Sequence, residues 1–275
     1  MSGDREPREN ISGEYGNPIS DPVTTLSDSR LGTIIDRLGT LYWRKSYGDR
    51  DAFSCLVRTI LSQHTSDVAS QPAYDDLVDR FGEASLAHGL RSSDTDDIAE
   101  LIQPAGLQHQ KAAVLQDVAS KVLERFGSTE AFDAFVKEHS RESVRDALLS
   151  FDGVGPKTAD CVLLFSGGKR GVFPVDTHIH RIYRRLGIAP PDASHEVVRA
   201  LLEGRTDDCE GVPPSKCGFG HTTSIQFGRE YCTARAPVCL SDVEACPLSD
   251  LCHRVGVDVE EGTVVDPADH VTATE

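Results

Sequence analysis

Phe151-Asp-Gly-Val-Gly-Pro-Lys157-Thr-Ala-Asp160 stands between two apolar helical runs, and Asp176 follows nineteen positions after Lys157 in Val175-Asp-Thr-His178. Two glycines one residue apart between helices predict a tight hairpin. Such a loop presents backbone N–H groups at the start of its second helix, where partial positive charge can hold a phosphate. A lysine at that helix start, with a carboxylate nearby in the fold, suits attack on an aldehyde-like sugar carbon. Phosphate and sugar chemistry together point to DNA.

Helical periodicity dominates on both sides of the hairpin. Ile34, Ile35, Leu38, Leu41 and Tyr42 share one face, as do Phe53, Leu56, Val57, Ile60 and Leu61. Further helices are predicted over about 97–103, 109–125, 129–139, 142–150, 157–166, 177–187 and 194–203. Pro72 is expected in the first turn of its helix, or at a kink. Alternating strand patterns are nearly absent, so the fold class is all-α. Residues 1–29, rich in Ser, Gly, Pro and Asp, read as a disordered tail, and 204–220 as an irregular insertion. The tail from 254 to 275 reads as acidic and solvated: residues 256–275 hold six acids and no Lys or Arg.

With 275 residues the chain can bury a sizeable core. No apolar run is long enough to span a bilayer, and the polar N-terminus lacks the apolar centre of a secretion signal. A cytoplasmic protein without membrane contact is expected. The net charge of −16 is unusual for a nucleic-acid partner. Charge is uneven, however: positions 150–190 carry six Lys or Arg against three Asp. A strongly acidic surface with one basic zone also suits a halophilic host.

Among eight cysteines, Cys55 and Cys161 lie on apolar helix faces and read as small buried hydrophobes. Cys232, Cys239, Cys246 and Cys252 crowd together with gaps of six, six and five residues. Structural disulfides do not suit a cytoplasmic chain. Zinc sites normally use tighter knuckles, whereas longer loops suit an iron–sulfur cube. Spacing leaves a cluster, a zinc ion and inert thiols all open.

The hairpin with Lys157, the Val-Asp-Thr-His element and the cysteine loop, in this order, resemble the endonuclease III family of helix–hairpin–helix DNA glycosylases. Gly106-Leu-Gln-His-Gln-Lys111-Ala is similar to that family's Gly-Leu-x-x-x-Lys-Ala segment. The likeness covers roughly 30–253. It implies two all-α lobes: a six-helix barrel with the hairpin over 45–169, and a lobe from 30–44 and 170–253 around a [4Fe–4S] cluster held by the four clustered cysteines. The active site of the family lies between its lobes. Two departures stand out. The family's cysteine gaps are six, two and five, so four extra residues must loop out before Cys246, with Cys217 or Cys209 as weaker substitutes. Many relatives also read Leu-Pro-Gly-Val-Gly-Arg-Lys where this chain has Asp152 and Pro156.

The resemblance implies a base-excision-repair glycosylase with abasic-site lyase activity, acting on oxidised pyrimidines in double-stranded DNA as a monomer, and nucleoid-associated when bound. The target nucleotide must leave the stack to be reached. By position, Gln63 or His64 and Leu107 would fill the space it vacates, although Leu107 could be core and Gln63 a helix cap. Lys157 would attack C1′ and form a Schiff base, Asp176 would steer protons, and Gly153, Val154 and Gly155 would meet phosphate. Apart from the family, a lysine here reads as a phosphate contact and Asp176 as an N-cap. His178 could support the site or only pack; Arg181, Arg184 and Arg185 are candidates for DNA contacts or a solvated face. Alternatives are a glycosylase for thymine or uracil opposite guanine, and a non-catalytic helix–hairpin–helix DNA-binding protein.

Overall fold

The computed structural model describes residues 29–42, 50–65, 67–206 and 210–272. The expected N-terminal tail lies outside them except for Ser29, and so does Cys209. In chain order the helices are α1 (Arg30–Gly39), α2 (Ala52–Leu61), α3 (Asp67–Phe81), α4 (Leu86–Ser92), α5 (Thr95–Leu101), α6 (Gln108–Phe126) and α7 (Thr129–Glu138). There follow α8 (Arg141–Leu149), α9 (Pro156–Phe165), α10 (Thr177–Arg185), α11 (His195–Leu202), α12 (Cys217–Glu230) and α13 (Pro267–Thr272). The only sheet among the described residues is the antiparallel pair β1 (Val257–Asp258) and β2 (Thr263–Val264). The fold is all-α.

Contacts divide the chain into two compact units, one within 47–169 and the other from the stretches up to 46 and from 170 on. In the 47–169 unit α2 is central. Asp51 caps it by accepting from the Ser54 N–H, and Phe53, Leu56, Val57, Ile60 and Leu61 are all buried. It packs on α3, α6, α7 and α9, while α6 covers α4 and α5. Each fully buried Leu, Ile or Phe contributes roughly 1.5–3 kcal/mol, so the apolar stripe alone accounts for the helix's position. Behind the hairpin, Asp160 of α9 is 1% exposed and receives the Arg145 guanidinium of α8 at 2.8 Å, which clamps the two helices together. Pro72 sits in the second turn of α3, one turn later than its sequence suggested.

The flanking unit is built on α1, α10 and α12. Ile34, Ile35 and Leu38 of α1 join Ile179, Ile182 and Tyr183 of α10 and Phe219 and Phe227 of α12 in one apolar cluster. The stretch 204–220 is therefore only partly irregular, because α12 begins at Cys217 and is buried almost throughout. Its glycines allow close approach: a Cβ on Gly220 would lie 2.8 Å from Ile35 Cδ1. The expectation of a solvated tail from 254 is corrected as well. Val257 and Val264 pack on the core, and the Asp266 carboxylate pairs with the buried Arg184, drawing β1, β2 and α13 onto the unit. Among the described residues no helix is long and apolar enough to cross a membrane.

Candidate functional site

The hairpin forms as its glycines predict. Gly153 has φ +78°, and a Cβ there would meet Val114 Cγ1 at 2.7 Å, so both conformation and space require glycine. Gly155 caps α9 without a side chain, Pro156 opens the helix and Lys157 follows, half-buried. Val154 is buried beneath the loop. No side chain caps α9, so its first-turn N–H groups face outward at the positive end of the helix. That end can receive a phosphate. Asp152, standing where relatives have proline, is exposed and joins Lys121 at 2.8 Å; Lys121 also meets Asp117 at 2.8 Å.

Two further loops belong to the same unit. Gln63, just after α2, donates its amide to the Gly153 carbonyl and to Thr158 Oγ1, both at 3.1 Å. His64, next along, is exposed with φ +55°, and Leu107 is 52% exposed with φ +52°. A left-handed backbone costs roughly 1–2 kcal/mol per non-glycine residue. Among the described non-glycine residues only His64, Leu107 and Arg254 have positive φ. Two of those three stand where sequence placed base-displacing side chains. Leu107 is thus not core, and Gln63 is tied to the hairpin rather than capping α2. Lys111, whose side chain sequence left without a role, is buried between the loops: its ammonium donates to the carbonyls of Leu61 at 2.7 Å and Ala105 at 2.8 Å. Burial lowers its pKa from the ordinary lysine value.

In the flanking unit Asp176 caps α10, its Oδ1 accepting from the Ile179 N–H at 2.8 Å. His178, the second residue of α10, accepts at Nδ1 from Arg181, and its pKa is lowered by burial, with Arg181 and Arg229 acting in the same direction against Asp176. The arginines of α10 prove to be internal struts. Arg181 donates to the carbonyls of Gly228 and Cys232, Arg184 to that of Pro191, and Arg185 to those of Thr233 and Ala234. Neither a solvated face nor a free DNA contact describes Arg184 and Arg185, which are buried.

Cys232, Cys239, Cys246 and Cys252 line one cavity together with Arg185, Arg254 and the apolar Ile182, Phe227 and Leu248. The residues added before Cys246 loop outward: Ser241, Asp242, Glu244 and Ala245 are exposed. Cys217 is elsewhere, its thiol donating toward the Val212 and Pro213 carbonyls. Burial pushes the Cys246 and Cys252 thiols up to about 11 and raises Cys239, with neighbouring sulfurs adding to each shift. Four thiolates so placed need a cationic group to hold them. The buried Arg185 Nε–H has no acceptor among the described residues, and Arg185 Nη1 reaches Cys232 Sγ at 3.6 Å. Among the described residues no three His, Cys, Asp or Glu gather closely enough for a single ion. This donor set fits a thiolate-ligated cluster, which is broader than one metal.

The family model for HhH-GPD superfamily base excision DNA repair proteins matches residues 57–207, more than half of the chain and the stretch that carries the hairpin. The chain belongs to that family. The endonuclease III of Sulfolobus acidocaldarius is 29% identical over 205 residues, 74% of this chain and 82% of that protein. A solved non-covalent endonuclease III–DNA complex superposes with TM-score 0.66 at 23% identity, covering 84% of this chain and 97% of that one. A thermostable thymine-DNA glycosylase superposes with TM-score 0.60 at 23% identity, covering 84% and 95%. The protein is an endonuclease III-like base-excision DNA glycosylase. Its matched region holds the hairpin, the two loops and Lys111 within one compact unit.

Proposed function

We propose that the protein excises oxidised pyrimidines from double-stranded DNA and then cleaves the abasic site by β-elimination. The observation that carries this reading is Lys157, an amine on the uncapped N-terminus of α9 directly after a glycine hairpin. Phosphate bound by the Gly153–Gly155 loop brings the sugar to that amine. The Lys157 nitrogen forms a bond to C1′ as the C1′–base bond breaks, and the base leaves with the electron pair and takes up a proton. The C1′–O4′ bond then breaks, O4′ taking up a proton as the ring opens, which leaves a Schiff base at C1′; this acidifies C2′, and loss of that proton expels the 3′ phosphate from C3′. Asp176 serves as the carboxylate that relays protons and offsets positive charge on the sugar. A non-catalytic phosphate clamp requires neither of those two side chains.

Gln63 or His64, together with Leu107, fills the stack when the nucleotide turns out. Cys232, Cys239, Cys246 and Cys252 would hold a [4Fe–4S] cluster, which when bound supplies a structural charge centre rather than excision chemistry. Base release from duplexes holding a thymine glycol, a thymine opposite guanine, or no lesion tests the substrate assignment. Release from the thymine glycol duplex is expected. Release confined to the mismatch would replace the assignment with a thymine mismatch glycosylase.

A further inference from the structure

We propose that Lys111 is the positioning residue that sets both base-displacing loops in one geometry, an inference that rests on the glycosylase reading above. Its ammonium is 4% exposed as a residue and bonds two carbonyls far apart in sequence. Leu61, the first acceptor, is the last residue of α2, two positions before Gln63. Ala105, the second, stands two positions before Leu107. The backbone N–H of Lys111 also donates to the Leu107 carbonyl at 2.9 Å, so one residue grips the second loop on both sides of Gly106.

The loops so joined are the strained ones. His64 and Leu107 hold left-handed backbones in exposed positions at the tips of these loops. Such conformations persist only when the surroundings fix them. A single ammonium shared between the loops does so, and it makes the position of one loop depend on that of the other. A methionine of similar volume would fill the same space but would remove the donor that the Leu61 and Ala105 carbonyls share. Gln63 extends the linkage to the phosphate-binding hairpin through Gly153. Lys111 thereby connects the residues that displace the base to the residues that grip the backbone.

The test compares binding to a duplex with one tetrahydrofuran abasic-site analogue and to the same duplex undamaged, for wild type, K111M, L107A and the double variant. Wild type is expected to prefer the lesion. K111M is expected to lose about tenfold of that preference, on the scale of one base-stacking contact. L107A should lose a similar factor, and the double variant no more than either alone, because both act through one wedge. K111Q, an uncharged donor of shorter reach, repeats the measurement if K111M does not fold. Unchanged preference in a folded Lys111 variant, or losses that multiply in the double variant, overturn the proposal. Absence of lesion preference in wild type would instead overturn the base-displacement reading beneath it.

Discussion

Gln63 donates its side-chain amide to the carbonyl of Gly153, ninety residues later, at 3.1 Å. The loop proposed to displace a base and the hairpin proposed to hold phosphate are thus joined directly. If the proposed roles hold, backbone binding and base displacement are coupled through this bond within the 47–169 unit.

Gly153→Ala tests that arrangement at its tightest point. The substitution forces alanine into φ +78° and drives its Cβ to 2.7 Å from Val114. The two penalties together are expected to cost about 2–4 kcal/mol, read as a lower Tm. DNA affinity should fall as well. Adding V114A relieves the contact but not the dihedral, so recovery should be partial.

Asp160→Asn removes the buried carboxylate that the largely buried Arg145 guanidinium meets at 2.8 Å. A loss of about 3 kcal/mol or more is expected in chemical denaturation. Replacing both partners by apolar residues of similar size should recover most of it, because the desolvated charges then disappear together.

Asp152→Asn should strengthen binding to undamaged duplex at low salt, since it removes an exposed acid beside the loop proposed to bind phosphate and leaves Lys121 paired with Asp117 alone. The slope of log affinity against log salt is expected to steepen by about one phosphate contact. The same pair sets a pH signature. The hydrogen bond and charge of Lys121 hold the Asp152 carboxyl below its ordinary value. Its contribution to stability is therefore full above the unfolded carboxylate's value and fades as pH falls through the lower folded one. Wild type and D152N should differ at neutral pH and converge in acid, in thermal melts across that range.

Cys246→Ser should reduce the iron and acid-labile sulfide of purified protein from about four per chain, whereas C217S should leave both unchanged. Iron retained in full by C246S would remove Cys246 from the ligand set.

Much of this was legible in the sequence, for identifiable reasons. The apolar stripes of α1 and α2, the cap at Asp176 and the glycines of the hairpin are local signals, and the structure follows them. The helix α12 was not predicted, because Gly218, Gly220, Thr222, Thr223 and Ser224 carry no helical preference; packing on α1 and α10 holds it. The last stretch reads as solvated because its acids lack local partners, yet Asp266 finds Arg184 eighty-two residues away. Lys111 lay inside a segment already singled out, but nothing local tells that its ammonium reaches Leu61 fifty residues back. The left-handed backbones at His64 and Leu107 are equally silent in sequence, since neither residue type calls for them.

The most direct test of the central claim is borohydride trapping on a duplex carrying one thymine glycol, with wild type and Lys157→Ala compared at high and low salt. A covalent protein–DNA adduct in wild type, lost in K157A while duplex binding persists, is the expected result. Base release without an adduct in wild type, or an adduct that survives in K157A, would contradict the assignment of Lys157 as the Schiff-base nucleophile.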